Sequence, residues 1–197
     1  MTAAIKETVE QQQYLTFLLA DEEYAISILK VKEIIEYTAI TKVPKVPSWI
    51  RGVINLRGAV VPVIDLAVKF GLEEKPVSKT TCVVIVESQF EGQTTMMGAI
   101  ADAVSQVMDL TAQDIQPVPE FGTRLKVTYL LGMAQLGKKF ALLLDVDKVL
   151  STDELLNLNE VSTLAETLDT LDSASPALAP DAEDALESPE QQSKQDQ

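Results

Sequence analysis

Trp49-Ile50-Arg51-Gly52-Val53-Ile54-Asn55-Leu56-Arg57-Gly58-Ala59-Val60-Val61-Pro62-Val63-Ile64-Asp65-Leu66 reads as a β-hairpin. Apolar, β-branched arms flank Asn55 to Gly58, which supplies the turn, and Gly58 is predicted to take a positive φ there. Pro62 has no N–H for a ladder, which predicts that the returning arm runs at a sheet edge or through a bulge. Arg57 falls at the tip among apolar neighbours. Its plain reading is a solvated turn residue. The alternative is a protein contact, because a guanidinium combines five fixed donors with a weakly hydrated plane. Gly52, taken alone, reads as a packing or bulge glycine.

Working outward, the same pattern recurs. Gly52-Val53-Ile54-Asn55-Leu56 overlies Gly132-Met133-Ala134-Gln135-Leu136 at an offset of 80, and that offset also places Ile64-Asp65-Leu66 over Leu144-Asp145-Val146 and Trp49-Ile50 over Tyr129-Leu130. The physical reading is two similar β units, each with a hairpin ending in an aspartate that caps the next turn.

Other short β-branched runs lie between turn residues: Tyr14 to Leu19, Tyr24 to Ile28, Thr81 to Val86, Met97 to Ile100 and Phe140 to Leu144. Many short strands predict an all-β fold of small barrels. Asp21-Glu22-Glu23 joins the first two runs, and the stretch around Glu91-Gly92-Gln93 joins another pair. Helices are minor: a turn or two within Leu29 to Ile35, Leu66 to Phe70 closed by Gly71, and a last one after Ser151, where Glu154 completes a capping-box spacing.

Three segments separate by composition: a leader to about Gln13, a strand-rich body to about Asn159 and an acidic tail over 160–197. Residues 151–197 carry a net −11 of the chain's −14. From Asp169 onward there is no aromatic residue and little apolar surface, so disorder is expected. The net charge argues against a nucleic-acid partner, where a basic face is needed. No apolar run reaches the ~20 residues of a membrane span, which predicts a cytoplasmic protein with no direct membrane insertion. The chain has no histidine, hence no imidazole base, zinc ligand or phosphoacceptor, and its one cysteine, Cys82, sits in a strand-like run and reads as a small core thiol. No catalytic residue and no cofactor are read here.

Longer stretches carry a family resemblance. Glu22-Glu23-Tyr24-Ala25-Ile26-Ser27-Ile28-Leu29-Lys30-Val31-Lys32-Glu33-Ile34-Ile35, Ile50 to Gly58 and Val61 to Leu66 follow one another in the order and spacing seen in CheW chemotaxis adaptors. Thr111 to Ile115, Pro117, Pro119-Glu120-Phe121 and Tyr129-Leu130-Leu131-Gly132 continue a likeness that spans about residues 14–157. The resemblance implies two five-stranded SH3-like barrels packed together, and a non-enzymatic adaptor that couples methyl-accepting chemoreceptors to the histidine kinase CheA in membrane receptor arrays. In that family the receptor's helical tip docks between the barrels, and the kinase's regulatory domain, built on the same module, joins pseudo-symmetrically. Carried over by motif, Arg57, Val31 and Gly52 are expected at or near the receptor surface, and Glu33 and Gly98 near the kinase. The acidic tail has no counterpart in the family pattern.

Rival readings are weaker. Asp145 with Asp147 could suggest a metal pair, but Val149 and Leu150 stand where an EF-hand would continue its ligands, and a strand-end cap explains both aspartates. A generic SH3-like binder of proline-rich ligands would need an aromatic groove, and aromatics make up 5% of the chain. Adaptors resembling CheW also serve pathways controlling type IV pili. The charge split generates a first prediction: removing the residues after Asp169 leaves the melting temperature within a few degrees, because an aromatic-free acidic segment buries little. A cooperative destabilisation on calorimetry would show that the removed end packs on the body.

Overall fold

The structure, a computed structural model, describes residues 11–90, 93–118 and 129–149. Along the chain lie β1 (Gln12–Leu19), β2 (Glu22–Ser27), a 3-10 turn (Ile28–Lys30), β3 (Val31–Glu36), β4 (Ile50–Leu56), β5 (Ala59–Asp65) and α1 (Leu66–Lys69). They are followed by β6 (Cys82–Phe90), β7 (Gln93–Ala101), β8 (Ala103–Leu110), β9 (Ile115–Gln116), β10 (Leu130–Leu136) and β11 (Lys139–Leu144). Two sheets form, in the orders β8-β1-β2-β11-β10-β9 and β3-β6-β7-β5-β4.

The internal repeat holds at the level of register. In the β4–β5 hairpin Val53 faces Pro62 and Leu56 faces Ala59, and in the β10–β11 hairpin Met133 faces Leu142 and Leu136 faces Lys139. Each hairpin bulges at its second residue, between Ile50 and Gly52 and between Leu130 and Gly132. Each bulge lets another segment come close: a Cβ on Gly52 would lie 2.1 Å from the Thr41 carbonyl oxygen, and one on Gly132 2.7 Å from that of Gln116. Thr41 bridges Val53 as Gln116 pairs with Met133. After each hairpin an aspartate N–H donates to the ring residue's carbonyl, Asp65 to Trp49 and Asp145 to Tyr129, both at 2.8 Å.

The correspondence continues into the remaining strands, with a permutation. β3 on β6 has the same offset bulge as β8 on β1, and β5 runs parallel to β7 as β11 runs parallel to β2. The second barrel is therefore contiguous from β3 to β7, whereas the first is assembled from β8 to β11 and closed by the N-terminal β1–β2 hairpin.

Each barrel interior is small. Among the described residues, Tyr14, Ala25, Leu110, Ala134, Ala141 and Leu143 fill one and Ile54, Val61, Val63, Val83 and Ile85 fill the other. The larger core lies between them, with eight buried residues from each side, including Leu15, Phe17, Ile26 and Leu144 from the first barrel and Ile64, Leu66, Val86 and Met97 from the second. A fully buried aliphatic or aromatic side chain contributes about 1.5–3 kcal/mol, so the shared core outweighs either interior. Phe70, just after α1, crosses the join. Its ring stacks on Tyr24 at 5.9 Å and on Tyr129 at 4.7 Å, and Tyr24 stacks on Phe17 at 6.3 Å. Burial, with Tyr129 and Glu22 nearby, pushes the Tyr24 hydroxyl up to about 12.

Three sequence expectations change. The segment Leu29 to Ile35 is not helical beyond the 3-10 turn; β3 replaces it, because its β-branched residues alternate between half-buried and exposed positions at a strand's period of two. β5 is an inner strand, not an edge, and Pro62 is tolerated for a local reason. Val53 directs both its N–H and C=O to Thr41, so Pro62 opposite it owes no bond to β4, and the ladder to β7 starts only at Val63. The first hairpin turns at Ala20-Asp21, with φ of 49° and 70°, one position earlier than expected. The helix expected after Ser151 and the turn residues Glu91 and Gly92 lie outside the described residues. α1 forms as expected, with the Asp65 carboxylate accepting from the Val68 N–H at 3.1 Å.

Two glycines of the first-quoted hairpin separate conformation from crowding. Gly58 has φ +90° and open space where a Cβ would go, whereas Gly52 combines φ +140° with the Thr41 backbone at clash distance. Gly58→Ala is expected to cost about 1 kcal/mol and Gly52→Ala clearly more, ~3 kcal/mol or loss of folding, in urea titrations. Equal costs at the two positions would contradict the close approach at Thr41.

Candidate functional site

The β4–β5 turn consists of Arg57 and Gly58, with φ of 55° and 90°. Two successive positive φ values are the type I′ pattern, which favours asparagine or glycine at its first position. An L-residue with a full side chain in that region costs of order 1–2 kcal/mol. The counterpart turn of the first barrel follows the usual preference, placing Gly137 at the first position with φ 62°. Arg57 therefore occupies a position its own backbone preference disfavours, and its side chain is 80% exposed.

The guanidinium is not loose. Its Nη2 donates to Glu33 Oε2 at 2.8 Å. Glu33 lies on β3, and β3 and β4 are the two outer strands of the sheet, so the pair spans from one edge to the other. An ion pair this exposed is worth at most ~1 kcal/mol. Its effect is to orient the arginine. Asn55 supports the turn from below, its side-chain oxygen accepting the Gly58 N–H at 2.8 Å.

Val31 opens β3, half-buried, and packs against the shared core opposite Val86. Immediately before it the 3-10 turn presents Leu29, which is 85% exposed. That turn is tied down: Lys30 Nζ donates to Asp147 Oδ2 at 2.7 Å, and Asp147 Oδ1 accepts the Gln89 N–H at 2.8 Å. Partial burial alone would raise the Asp147 pKa, but these hydrogen bonds outweigh it and hold the carboxyl below its ordinary value. A depressed carboxylate stabilises the fold above its unfolded pKa, and that contribution is lost as pH falls through the folded value.

The structure brings Arg57 and Glu33 into contact, with Val31 two residues before Glu33 on the same strand. It keeps the two glycines away from the surface. Gly52 is buried behind Thr41, and Gly98 is buried in β7, where a Cβ would meet Val83 Cγ1 at 2.6 Å. Any influence these glycines have on a partner acts through the shape of their strands. Leu29, Lys30 and Asp147 were absent from the sequence reading of the surface. The signal was Leu29, following Ile28 directly and so breaking a strand's alternation just before Lys30, hidden by reading the segment as helix.

Asp145 and Asp147 serve the chain itself. Asp145 Oδ1 accepts the Asp147 N–H at 3.2 Å and its Oδ2 pairs with Lys148 at 2.8 Å. Among the described residues no group of three or more histidine, cysteine or carboxylate side chains is placed to hold a metal ion. Cys82 is half-buried at the start of β6, and burial pushes its thiol up, away from the nucleophilic form. A cleft of about 240 Å³ opens beside α1, lined by Tyr37, Ile40, Lys42, Arg51 and Asp102 among others. Its principal charges satisfy one another: Arg51 donates to Asp65 at 2.8 Å and also pairs with Glu74, while Lys75 pairs with Asp21.

Comparison with known proteins places this arrangement. Residues 13–154 match the model of the CheW-like domain. The chain is 42% identical over 151 residues to the chemotaxis protein CheW of Klebsiella aerogenes, covering 77% of this chain and 89% of that protein. It is 30% identical over 145 residues to the protein FrzA of Myxococcus xanthus, covering 72% and 87%. Among solved structures, the scaffolding protein TtCheW of Thermoanaerobacter tengcongensis superposes with a TM-score of 0.67 at 31% identity, over 77% of this chain and 96% of that one. With both barrels inside the matched region, the chain belongs to the CheW-like family.

Proposed function

We propose that this chain is a non-enzymatic chemotaxis scaffold that couples chemoreceptors to a CheA-type histidine kinase, working in the cytoplasm at membrane receptor arrays. The observation that carries the reading is Arg57, a long cationic side chain kept at a turn position that favours glycine or asparagine, exposed and oriented by Glu33. Strain of this kind is retained at functional positions. Arginine held at a rigid tip suits an interface with a helical partner bearing carboxylates or carbonyls. The relatives' names support the pathway, and the absence of a histidine supports a scaffold over a catalyst.

In this reading Arg57 and Val31 contact the receptor tip, with Gly52 shaping the hairpin that carries Arg57. Glu33 and Gly98 belong to the kinase side, Gly98 through the packing of β7. Because Arg57 and Glu33 touch, the two docking areas adjoin across one ion pair.

Arg57→Gly separates folding from recognition. Glycine takes the positive φ without strain, so the variant keeps or gains stability, while truncating an interface arginine commonly costs ~2 kcal/mol or more, at least a roughly tenfold weaker affinity. Titration against a receptor signalling fragment and against the kinase regulatory domain, with thermal unfolding alongside, should show receptor binding lost, kinase binding retained and the melting temperature not lowered. Unchanged receptor affinity, or equal loss of both partners, would contradict the assignment.

A further inference from the structure

The 3-10 turn between β2 and β3 sends its three side chains in three directions. Such a turn advances about 120° per residue. Ile28 packs against the shared core, Lys30 reaches Asp147, and Leu29 is left pointing into solvent. Leu29 is not a loose end, because the residues on both sides of it are anchored. Val31 then opens β3, packed against the shared core and facing Val86 of β6.

Asp147, just beyond β11 of the first barrel, grips both of those paired strands. Its Oδ2 accepts from Lys30 Nζ, at the entry to β3, at 2.7 Å, and its Oδ1 accepts the N–H of Gln89, near the end of β6, at 2.8 Å. The turn that carries the carboxylate is itself fixed. The Asp147 N–H donates to Asp145 Oδ1 at 3.2 Å, and the Lys148 and Val149 N–H groups both donate to the Asp145 carbonyl at 3.0 Å. The Lys30 and Asp147 side chains are 30% and 33% exposed, so the pair adds little to stability. What it does is fix a direction, since each carboxylate oxygen is taken by a different segment.

We propose that Asp147 is a positioning residue for the docking edge along β3: by holding Lys30 it keeps Leu29 turned outward and sets the start of the strand that presents Val31 and Glu33. The inference rests on the adaptor reading and adds to it a residue of the other barrel, which makes recognition at β3 depend on the join. Without this contact the turn can move, and a partner has to order it on binding, a cost of about three- to tenfold in affinity.

The test uses full-chain Asp147→Asn and Lys30→Met, singly and together, titrated against a receptor signalling fragment and the kinase regulatory domain. Methyl order at Leu29 and thermal unfolding are measured alongside. Asparagine keeps an acceptor for the Gln89 N–H and removes the charge that holds Lys30. Each single variant should bind both partners about three- to tenfold more weakly, unlike Arg57→Gly, with lower order at Leu29 and a melting temperature within a few degrees of the parent. The double variant should lose no more than either single one, because the two groups act through each other. Lys30→Arg, which keeps the cation, should restore binding. Lys75→Met, which removes the ion pair to Asp21 between the same two barrels, is the control and should change neither binding nor Leu29. Unchanged binding in both single variants overturns this proposal alone, as does additive loss in the double variant or an equal loss in Lys75→Met. A parent chain that binds neither partner overturns the adaptor reading, and this proposal with it.

Discussion

The apolar core shared between the two barrels is the interaction on which the rest of the molecule depends. Neither interior is large enough to stand well alone, since small domains bury too little surface to offset their conformational entropy. The strands that matter for the surface are positioned from that core. Val31 is seated on it, Phe70 is wedged across it between Tyr24 and Tyr129, and Asp147 ties the linking turn to the end of β6. The arginine tip and the exposed Leu29 are therefore presented on one rigid body, and a partner meeting them finds the surface already organised.

The permuted repeat explains how that rigidity is reached. Because the N-terminal hairpin closes the barrel built from the later half of the chain, the first barrel is incomplete until residues near both ends of the described fold have met. The second barrel sits between them in sequence. Each link thereby crosses the join, and the number of long-range strand pairings rises accordingly, which predicts slow folding relative to a simple meander. The two hairpins share a register but have diverged at their tips, glycine first in one and Arg57 first in the other. Both tips carry an exposed cation, Arg57 in one and Lys138 in the other, but only Arg57 carries it on a residue with positive φ.

The all-β class, the repeat and the hairpin around Arg57 were legible in the sequence because each rests on a local signal: β-branched runs, a recurring glycine-to-aspartate order, and a glycine able to turn the chain. The permutation was not legible, because which strands pair across distant positions is decided by burial that no local window contains. The strand β3 was misread because its lysine and two glutamates blur the alternation that its burial pattern makes plain. At the site, Arg57 was visible as a residue out of place among apolar neighbours. Its contact with Glu33 was not, since that contact requires knowing that β3 and β4 are the two outer strands of one sheet. Gly52 and Gly98 show what a motif leaves out: it identifies a position, and only the packing tells that the position is internal.

If the shared core makes the two barrels one cooperative unit, then equilibrium unfolding in urea, followed at methyl groups of Leu143 in the first barrel and Val83 in the second together with Trp49 fluorescence, should give superimposable transitions with a single midpoint. Two separated midpoints, with one barrel still folded while the other has melted, would contradict it.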